Sequence, residues 1–178
     1  MAQTATIYNL SIDLSDVDRG VYEQLELRIA RHPSESAEYM FVRILAYCLE
    51  FQDGIHLTEG VASADEPAIL IRDMTGQITA WIEVGLPDAA RLHRGSKMAR
   101  RAAVYTHKGR QLLSQLAGSK VHKSESVPIY TLDSEFIDDI AGRIDRRSSI
   151  GLSITEQQIY LSIDGKDFTT SIQEHRIS

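Results

Sequence analysis

A strand–helix–strand order in the middle of the chain constrains the fold more than any other feature. Apolar and polar residues alternate from Gln77 to Val84, a helix-like segment runs from Pro87-Asp88 to about Arg100, and an apolar run covers Ala102–Thr106. Strands joined by such a crossover pair in parallel with a right-handed connection. The chain therefore buries a mixed sheet under at least one helix.

Further elements flank this unit on both sides. The period-two runs Thr4–Leu14 and Val21–Ile29 predict an N-terminal antiparallel hairpin. A helix follows that ends near Phe51, and the residues leave open whether Pro33 is its first position or Ser34 its N-cap. The remaining predicted elements are strands at Ile55–Leu57, Ala68–Ile71 and Val127–Leu132, helices at Gly109–Leu116 and Ser134–Ile144, and an antiparallel meander at Ile150–Ile172.

These elements predict one α/β (α+β) domain over residues 1–178, with a mixed sheet, flanking helices and a helix–three strands–helix–strand core. The single cysteine, Cys48, lies in an apolar run and is expected to be a buried hydrophobe. No apolar stretch approaches the ~20 residues of a membrane span, and Met1–Thr4 lacks signal-peptide features. We therefore expect a cytoplasmic protein without a membrane partner.

Charge is distributed unevenly along the chain. The net charge of −6 argues against a protein that coats nucleic acid by bulk charge. The interval 89–124, however, contains no Asp or Glu and nine of the 19 Lys and Arg residues. The remaining ten basic residues face 25 acidic ones, so the rest of the chain carries −15. This segregation predicts one local basic surface on an acidic body.

The predicted second helix gathers part of this positive charge on one side. At 100° per residue, Arg91, Arg94, Lys97 and Arg101 share a face. One interpretation is a solvated face balanced by acidic neighbours. The other is a phosphate-binding surface, with DNA or RNA as the partner of the basic 91–110 segment. Tyr105 is the only aromatic residue there, so a base-stacking platform is not indicated.

Glu83 is the most informative carboxylate in the sequence. The strand period puts it on the face of Trp81, between the apolar residues Ile82 and Val84. An ionised group beside a covering helix layer needs a basic partner or a metal. Arg91 or Arg94 from the next helix is the candidate basic partner.

Several runs in this chain resemble the YaeQ family of bacterial proteins. The most specific are Ala-Arg-His-Pro-Ser-Glu at 30–35 and Trp-Ile-Glu-Val-Gly at 81–85, and the similarity covers essentially the whole chain. The other matching runs are Thr4-Ala5-Thr6-Ile7-Tyr8, Asp16-Val17-Asp18-Arg19 and Asp65-Glu66-Pro67.

The resemblance implies a variant of the PD-(D/E)XK nuclease fold. Active members of that superfamily use a helix Glu, an Asp directly after a Pro, and an acid-X-Lys triplet on the next strand. Carried over to this chain, Glu35 or Glu38 is the helix acid and Glu83 the acid of the triplet. Clustered carboxylates of this kind hold Mg²⁺ or Mn²⁺, which activates water and neutralises the scissile phosphate.

The sequence departs from that motif at two positions. Position 68, after Pro67, is Ala, and Glu66 is a replacement ligand only if the strand already runs straight there. Position 85 is Gly rather than Lys, while Arg94 aligns with a Lys that YaeQ relatives carry on the following helix. Arginine keeps the charge but exchanges a proton poorly. If the chain is an active enzyme, the resemblance implies that Glu38, Glu66 and Glu83 are the metal ligands and that Glu83 and Arg94 are the catalytic residues.

Three classes of function follow from these features. The favoured hypothesis is a non-catalytic nucleic-acid-binding or regulatory protein that holds phosphate with Arg91, Arg94, Lys97 and Arg101. The alternatives are a metal-dependent nuclease and a module that docks an unidentified protein through its acidic surface or its tail meander. Fold analogy alone does not choose among them.

Overall fold

The computed structural model describes residues 4–59 and 65–177; Met1–Gln3, part of the segment that lacks signal-peptide features, lie outside these ranges. The residues group into two compact units, each with its own mixed sheet, which confirms the predicted α+β class. The first unit comprises Met1–Phe41 and Asp133–Ile172, and the second comprises Val42–Leu132 and Gln173–Ser178.

Eleven strands, four α-helices and a short 3-10 helix are formed by the described residues. The strands are β1 (Thr6–Asp16), β2 (Val21–Arg31), β3 (Ile55–Leu57), β4 (Ile69–Arg72), β5 (Ile78–Val84), β6 (Arg101–Thr106), β7 (Ile129–Thr131), β8 (Arg147–Thr155), β9 (Gln158–Ile163), β10 (Lys166–Ser171) and β11 (Gln173–His175). The helices are α1 (Ala37–Leu49), α2 (Ala89–Met98), α3 (Gly109–Leu116) and α4 (Ser134–Ala141), and the 3-10 helix is Ser124–Ser126.

The first unit is built on a five-stranded sheet in the order β10-β9-β8-β1-β2. The predicted hairpin β1–β2 and the meander β8–β9–β10 are both confirmed as antiparallel. They join into one sheet because β1 pairs in parallel with β8. Alternation places Leu10, Ile12 and Leu14 in the core, with the polar residues between them on the other face.

The run Asp16-Val17-Asp18-Arg19, which leads from β1 into the following turn, has a structural role in this sheet. The buried Asp16 carboxylate accepts hydrogen bonds from the backbone and side chain of Arg19. Asp18 accepts from the backbone N–H groups of Glu156 and Gln157, at 2.7 and 2.9 Å. Glu156 and Gln157 both have positive φ and lie in the β8–β9 turn. Asp18 therefore connects the β1–β2 turn to the β8–β9 turn, which is distant in sequence.

Helix α1 begins later than the sequence predicts. Residues 32–35 form a turn in which the Glu35 N–H donates to the His32 carbonyl at 2.8 Å. The Ser36 hydroxyl then accepts from the Tyr39 N–H at 3.0 Å, so the predictions of Pro33 or Ser34 at the helix start are wrong. Glu35 precedes the helix, whereas Glu38 lies in its first turn. Phe41, Ile44, Leu45, Cys48 and Leu49 of α1 are all buried, which confirms the prediction that Cys48 is a buried hydrophobe.

The second unit contains a six-stranded sheet in the order β11-β7-β6-β5-β4-β3. The predicted parallel pairing across the crossover is confirmed for β5 and β6, and β7 extends it in parallel. Leu92 of α2 and Leu112 of α3 pack with Trp81 and Val104 on one face. A Cβ at Gly95 would lie 2.4 Å from the Trp81 ring, so glycine allows α2 to approach the strand closely.

The boundaries of α2 correct one predicted surface. Asp88 caps the helix by accepting from the Arg91 N–H at 2.8 Å, as the sequence indicates. The helix ends at Met98, with Ala99 already extended, and Arg101 is the first residue of β6. The prediction that Arg101 shares a helix face with Arg91 is therefore wrong.

Among the described residues, no helix has the length and apolar character needed to cross a bilayer.

Candidate functional site

Glu83 lies on β5 with its carboxylate buried against α2. Its side chain lies two residues beyond Trp81 on the same face, and the residue is only 3% exposed. The Trp81 indole N–H donates to Oε2 at 3.0 Å. Arg91 donates through Nε to Oε2 at 3.1 Å and through Nη2 to Oε1 at 3.3 Å. The basic partner that the sequence requires is therefore Arg91, and both carboxylate oxygens are occupied.

Arg91 also contacts the chain ahead of β4. Its Nη2 donates to the Glu66 carbonyl at 2.7 Å, so among the described residues Glu83 and Glu66 together bring three oxygens to the guanidinium group. Burial raises the pKa of Glu83 above its ordinary value, and the hydrogen bonds from Arg91 and Trp81 act against that rise. The result is a compact, largely dry ion pair at the centre of this face of the sheet.

The donor set around Glu83 does not fit a divalent cation as it is arranged. Both Glu83 oxygens already accept N–H donors, and Glu66 turns its main-chain oxygen toward Arg91. Glu66 precedes β4, which begins at Ile69, so the straight strand required for it to replace Ala68 is not formed. Within residues 4–59 and 65–177, no three His, Cys, Asp or Glu residues are grouped to hold a metal. Metal ligation by Glu38, Glu66 and Glu83 stays a prediction.

The four predicted phosphate-binding residues fall into two groups. Arg91 and Arg101 are half-buried in ion pairs with carboxylates of the fold. Arg94 and Lys97 are exposed on α2, three residues apart. The Arg94 side chain is 43% exposed, and its Nη1 lies 3.6 Å from Asp65, which is itself open to solvent. Arg94 and Lys97 therefore remain accessible to an external anion.

Exposed cations continue along the acid-free interval beyond α2. The His93 ring accepts from the His122 N–H at 3.0 Å, and Ser96 donates to the His122 carbonyl. These contacts hold the segment after α3 against α2. We call the exposed arginines and lysines of residues 89–124 the basic surface: Arg94, Lys97, Arg100, Lys108, Arg110, Lys120 and Lys123.

A second buried ion pair in this unit, centred on Glu50, was not predicted from the sequence. Arg101 donates to both Glu50 oxygens at 2.8 Å, and the Tyr105 hydroxyl donates to Oε1 at 2.8 Å. Tyr105 stacks on Tyr130 with ring centroids 4.8 Å apart, and burial raises the pKa of Tyr105 well above its ordinary value. The four-residue spacing of Arg101 and Tyr105, on one face of β6, is the signal that points to this cluster.

The fold and the site define a class of α+β proteins. In this class, a carboxylate on a strand is neutralised by an arginine of the next helix, and that helix belongs to a basic segment without acidic residues. The YaeQ protein family model matches residues 1–172, and the chain belongs to the YaeQ family. The family predicted from the sequence runs is thus confirmed.

Bacterial relatives and solved structures agree with this assignment. The chain is 31% identical to an uncharacterized YaeQ protein of Escherichia coli K12 over 97% of this chain and 96% of that protein. A YaeQ crystal structure from Pseudomonas syringae superposes with a TM-score of 0.85 at 28% identity, covering 99% of this chain and 98% of the other. The YaeQ structure from Xanthomonas axonopodis pv. citri gives 0.86 at 26% identity, with 98% and 100% covered.

Proposed function

We propose that the protein binds nucleic acid through the phosphate backbone and does not hydrolyse it. The observation that carries this proposal is the basic surface, which presents seven exposed cations on a stretch of chain without a single carboxylate. Phosphate neutralisation by Lys and Arg releases condensed counterions, which supplies most of the affinity of sequence-independent binding. The arrangement suits a partner read by its charge rather than by its bases.

The charge of the remaining chain supports a localised contact. Outside the basic interval the chain carries −15, so a polyanion is repelled from most of the molecule and attracted to one segment. Arg94 and Arg100 have acidic neighbours in Asp65 and Asp73, at 3.6 and 3.5 Å. Within the described residues, no carboxylate is in ion-pair contact with Lys97, so it offers its full charge to an external phosphate.

The absence of hydrolysis is proposed from the state of Glu83. The order α1–β3–β4–β5–α2–β6 agrees with a helix–three strands–helix–strand core. As part of this proposal, we infer that the protein is related to the PD-(D/E)XK nucleases, which are built on such a core. In such a core the strand acid would hold the metal. Here that acid is neutralised by Arg91, and position 85 lacks a lysine.

We expect the double variant Arg94→Ala/Lys97→Ala to bind a short DNA duplex at least about tenfold more weakly than the wild type near physiological salt. The variant removes two phosphate contacts, so the slope of log affinity against log salt should also fall in magnitude by about 1.8. Fluorescence anisotropy of a labelled duplex measures both quantities.

The matched control is Lys166→Ala, which removes an exposed lysine of β10 in the first unit. Binding should be unchanged in this control. Equal affinity of the double variant and the wild type would contradict the proposal. So would cleavage of the duplex with Mg²⁺ or Mn²⁺ that disappears in Glu83→Gln, because that result establishes the nuclease alternative.

A further inference from the structure

We infer that the guanidinium of Arg91 takes the place of a divalent cation beside Glu83, so that the chain carries its own cation at this position. The inference deepens the proposed function, because it makes the interaction with nucleic acid independent of a metal. It stands on the geometry around Glu83 and is tested without nucleic acid.

Within the part of the chain that the structure describes, three oxygens from two separate stretches converge on the Arg91 guanidinium. Glu83 contributes both carboxylate oxygens at 3.1 and 3.3 Å, and Glu66 contributes its carbonyl at 2.7 Å. Carboxylate and carbonyl oxygens are also the ligands that hard divalent cations prefer. The distances, however, are those of N–H···O hydrogen bonds and exceed the ~2.1 Å of Mg²⁺–O bonds.

Burial makes the replacement effective. Glu83 is 3% exposed and its Oε2 also accepts from Trp81, so a cation entering from solvent must displace Arg91 and break its hydrogen bonds to Glu83 and Glu66. Arginine stays charged at all physiological pH values and is tethered at the site by α2, whose first turn is fixed by the Asp88 cap. A tethered cation competes at a high effective concentration against a free one.

The single positive charge of Arg91 also matches the single negative charge of the buried Glu83 carboxylate. Glu83 contributes one negative charge, and the Glu66 side chain does not contact the guanidinium; its main-chain oxygen does. A single guanidinium therefore neutralises the buried carboxylate, whereas a divalent ion would leave an excess charge in a dry environment. The arrangement favours Arg91 over Mg²⁺ on both geometry and charge.

Trp81 provides a direct reporter for this inference. It is the only tryptophan of the chain, and its indole nitrogen lies 3.0 Å from Glu83 Oε2. Mn²⁺ bound to Glu83 would quench its fluorescence. We expect no saturable quenching when MnCl₂ is added to the wild type. In Arg91→Ala we expect saturable quenching with loss of most of the emission, and Arg91→Ala/Glu83→Gln should lose that response.

Two further variants keep the test decisive. Arg91→Gln retains most of the side-chain stem without the charge, and it replaces Arg91→Ala if circular dichroism shows that the alanine variant is unfolded. Arg94→Ala, on the exposed side of the same helix, should behave as the wild type. Saturable quenching of the wild type would overturn the inference, and so would a folded Arg91 variant that Mn²⁺ does not quench. Both results leave duplex affinity, and thus the proposed function, to its own test.

Discussion

Arg101→Ala is expected to lower the free energy of unfolding by about 2–3 kcal/mol. Removing the guanidinium leaves the carboxylate of Glu50, whose side chain is 10% exposed, without the partner that contacts both of its oxygens. Removing one partner of a fully buried ion pair costs about 3–5 kcal/mol. We expect about 2–3 kcal/mol here because the Arg101 side chain is 38% exposed, so water partly solvates this pair. Tyr105 would keep its hydrogen bond to Glu50 but lose the neighbouring charge. Urea unfolding monitored by Trp81 fluorescence measures the difference.

The preceding residue supplies the control for this prediction. The Arg100 side chain is 69% exposed and lies 3.5 Å from Asp73, so Arg100→Ala should change stability by less than about 1 kcal/mol. The double variant Glu50→Gln/Arg101→Ala should recover part of the loss, since no buried charge is then left unpaired. Equal effects of Arg100→Ala and Arg101→Ala would show that the Glu50 pair does not stabilise the second unit.

Arg91→Ala is expected to destabilise the protein by about 2–3 kcal/mol near neutral pH and by clearly less in acid. Burial already raises the pKa of Glu83 in the folded chain, and Arg91 acts against that rise. Without Arg91 the folded-state pKa moves further above the unfolded value. The folded chain then binds the Glu83 proton more tightly than the unfolded chain, so this group favours folding at low pH. That contribution is lost as the pH rises through the raised folded-state pKa.

Urea unfolding of Arg91→Ala and the wild type across mildly acidic to neutral pH measures this difference. The difference between the two proteins should widen as the pH rises. Lys97→Ala, further along α2, should give a small and nearly constant difference, because Lys97 is exposed and no carboxylate of the described residues forms an ion pair with it. A stability difference for Arg91→Ala that is independent of pH would show that Glu83 does not depend on Arg91 for its charge.

Local sequence patterns predicted the helices and strands, but they did not predict which strands distant in sequence pair with each other. Alternation along Gln77–Val84 and Ala102–Thr106 was enough to predict a crossover and its parallel strands, because the connection dictates the geometry. The parallel pair β1–β8 joins segments more than a hundred residues apart, and no local period reports such a contact. The start of α1 was missed because residues 32–35 satisfy their polar groups in a turn of their own.

The part of the candidate site that the sequence predicted is the position of Glu83 under a helix. The strand period placed Glu83 beside a covering helix, and desolvation then required a counter-charge. The choice of Arg91 over Arg94 depended on the rotation of α2, which places Gly95 close against Trp81 and which the strand and helix periods did not reveal. Arg101 was assigned to the same helix face because the sequence does not show that α2 ends at Met98. Its partner Glu50 lies on another element, at a distance that no spacing rule covers.

The salt dependence of duplex binding by the wild type tests the central claim most directly. The measurement is fluorescence anisotropy of a labelled DNA duplex over a series of salt concentrations, with and without EDTA. If five to seven residues of the basic surface neutralise phosphates, log affinity should fall linearly with log salt, with a slope of about −4.5 to −6.3. EDTA should leave the affinity unchanged. Absence of binding at low salt, a slope near zero, or loss of binding with EDTA would contradict the account.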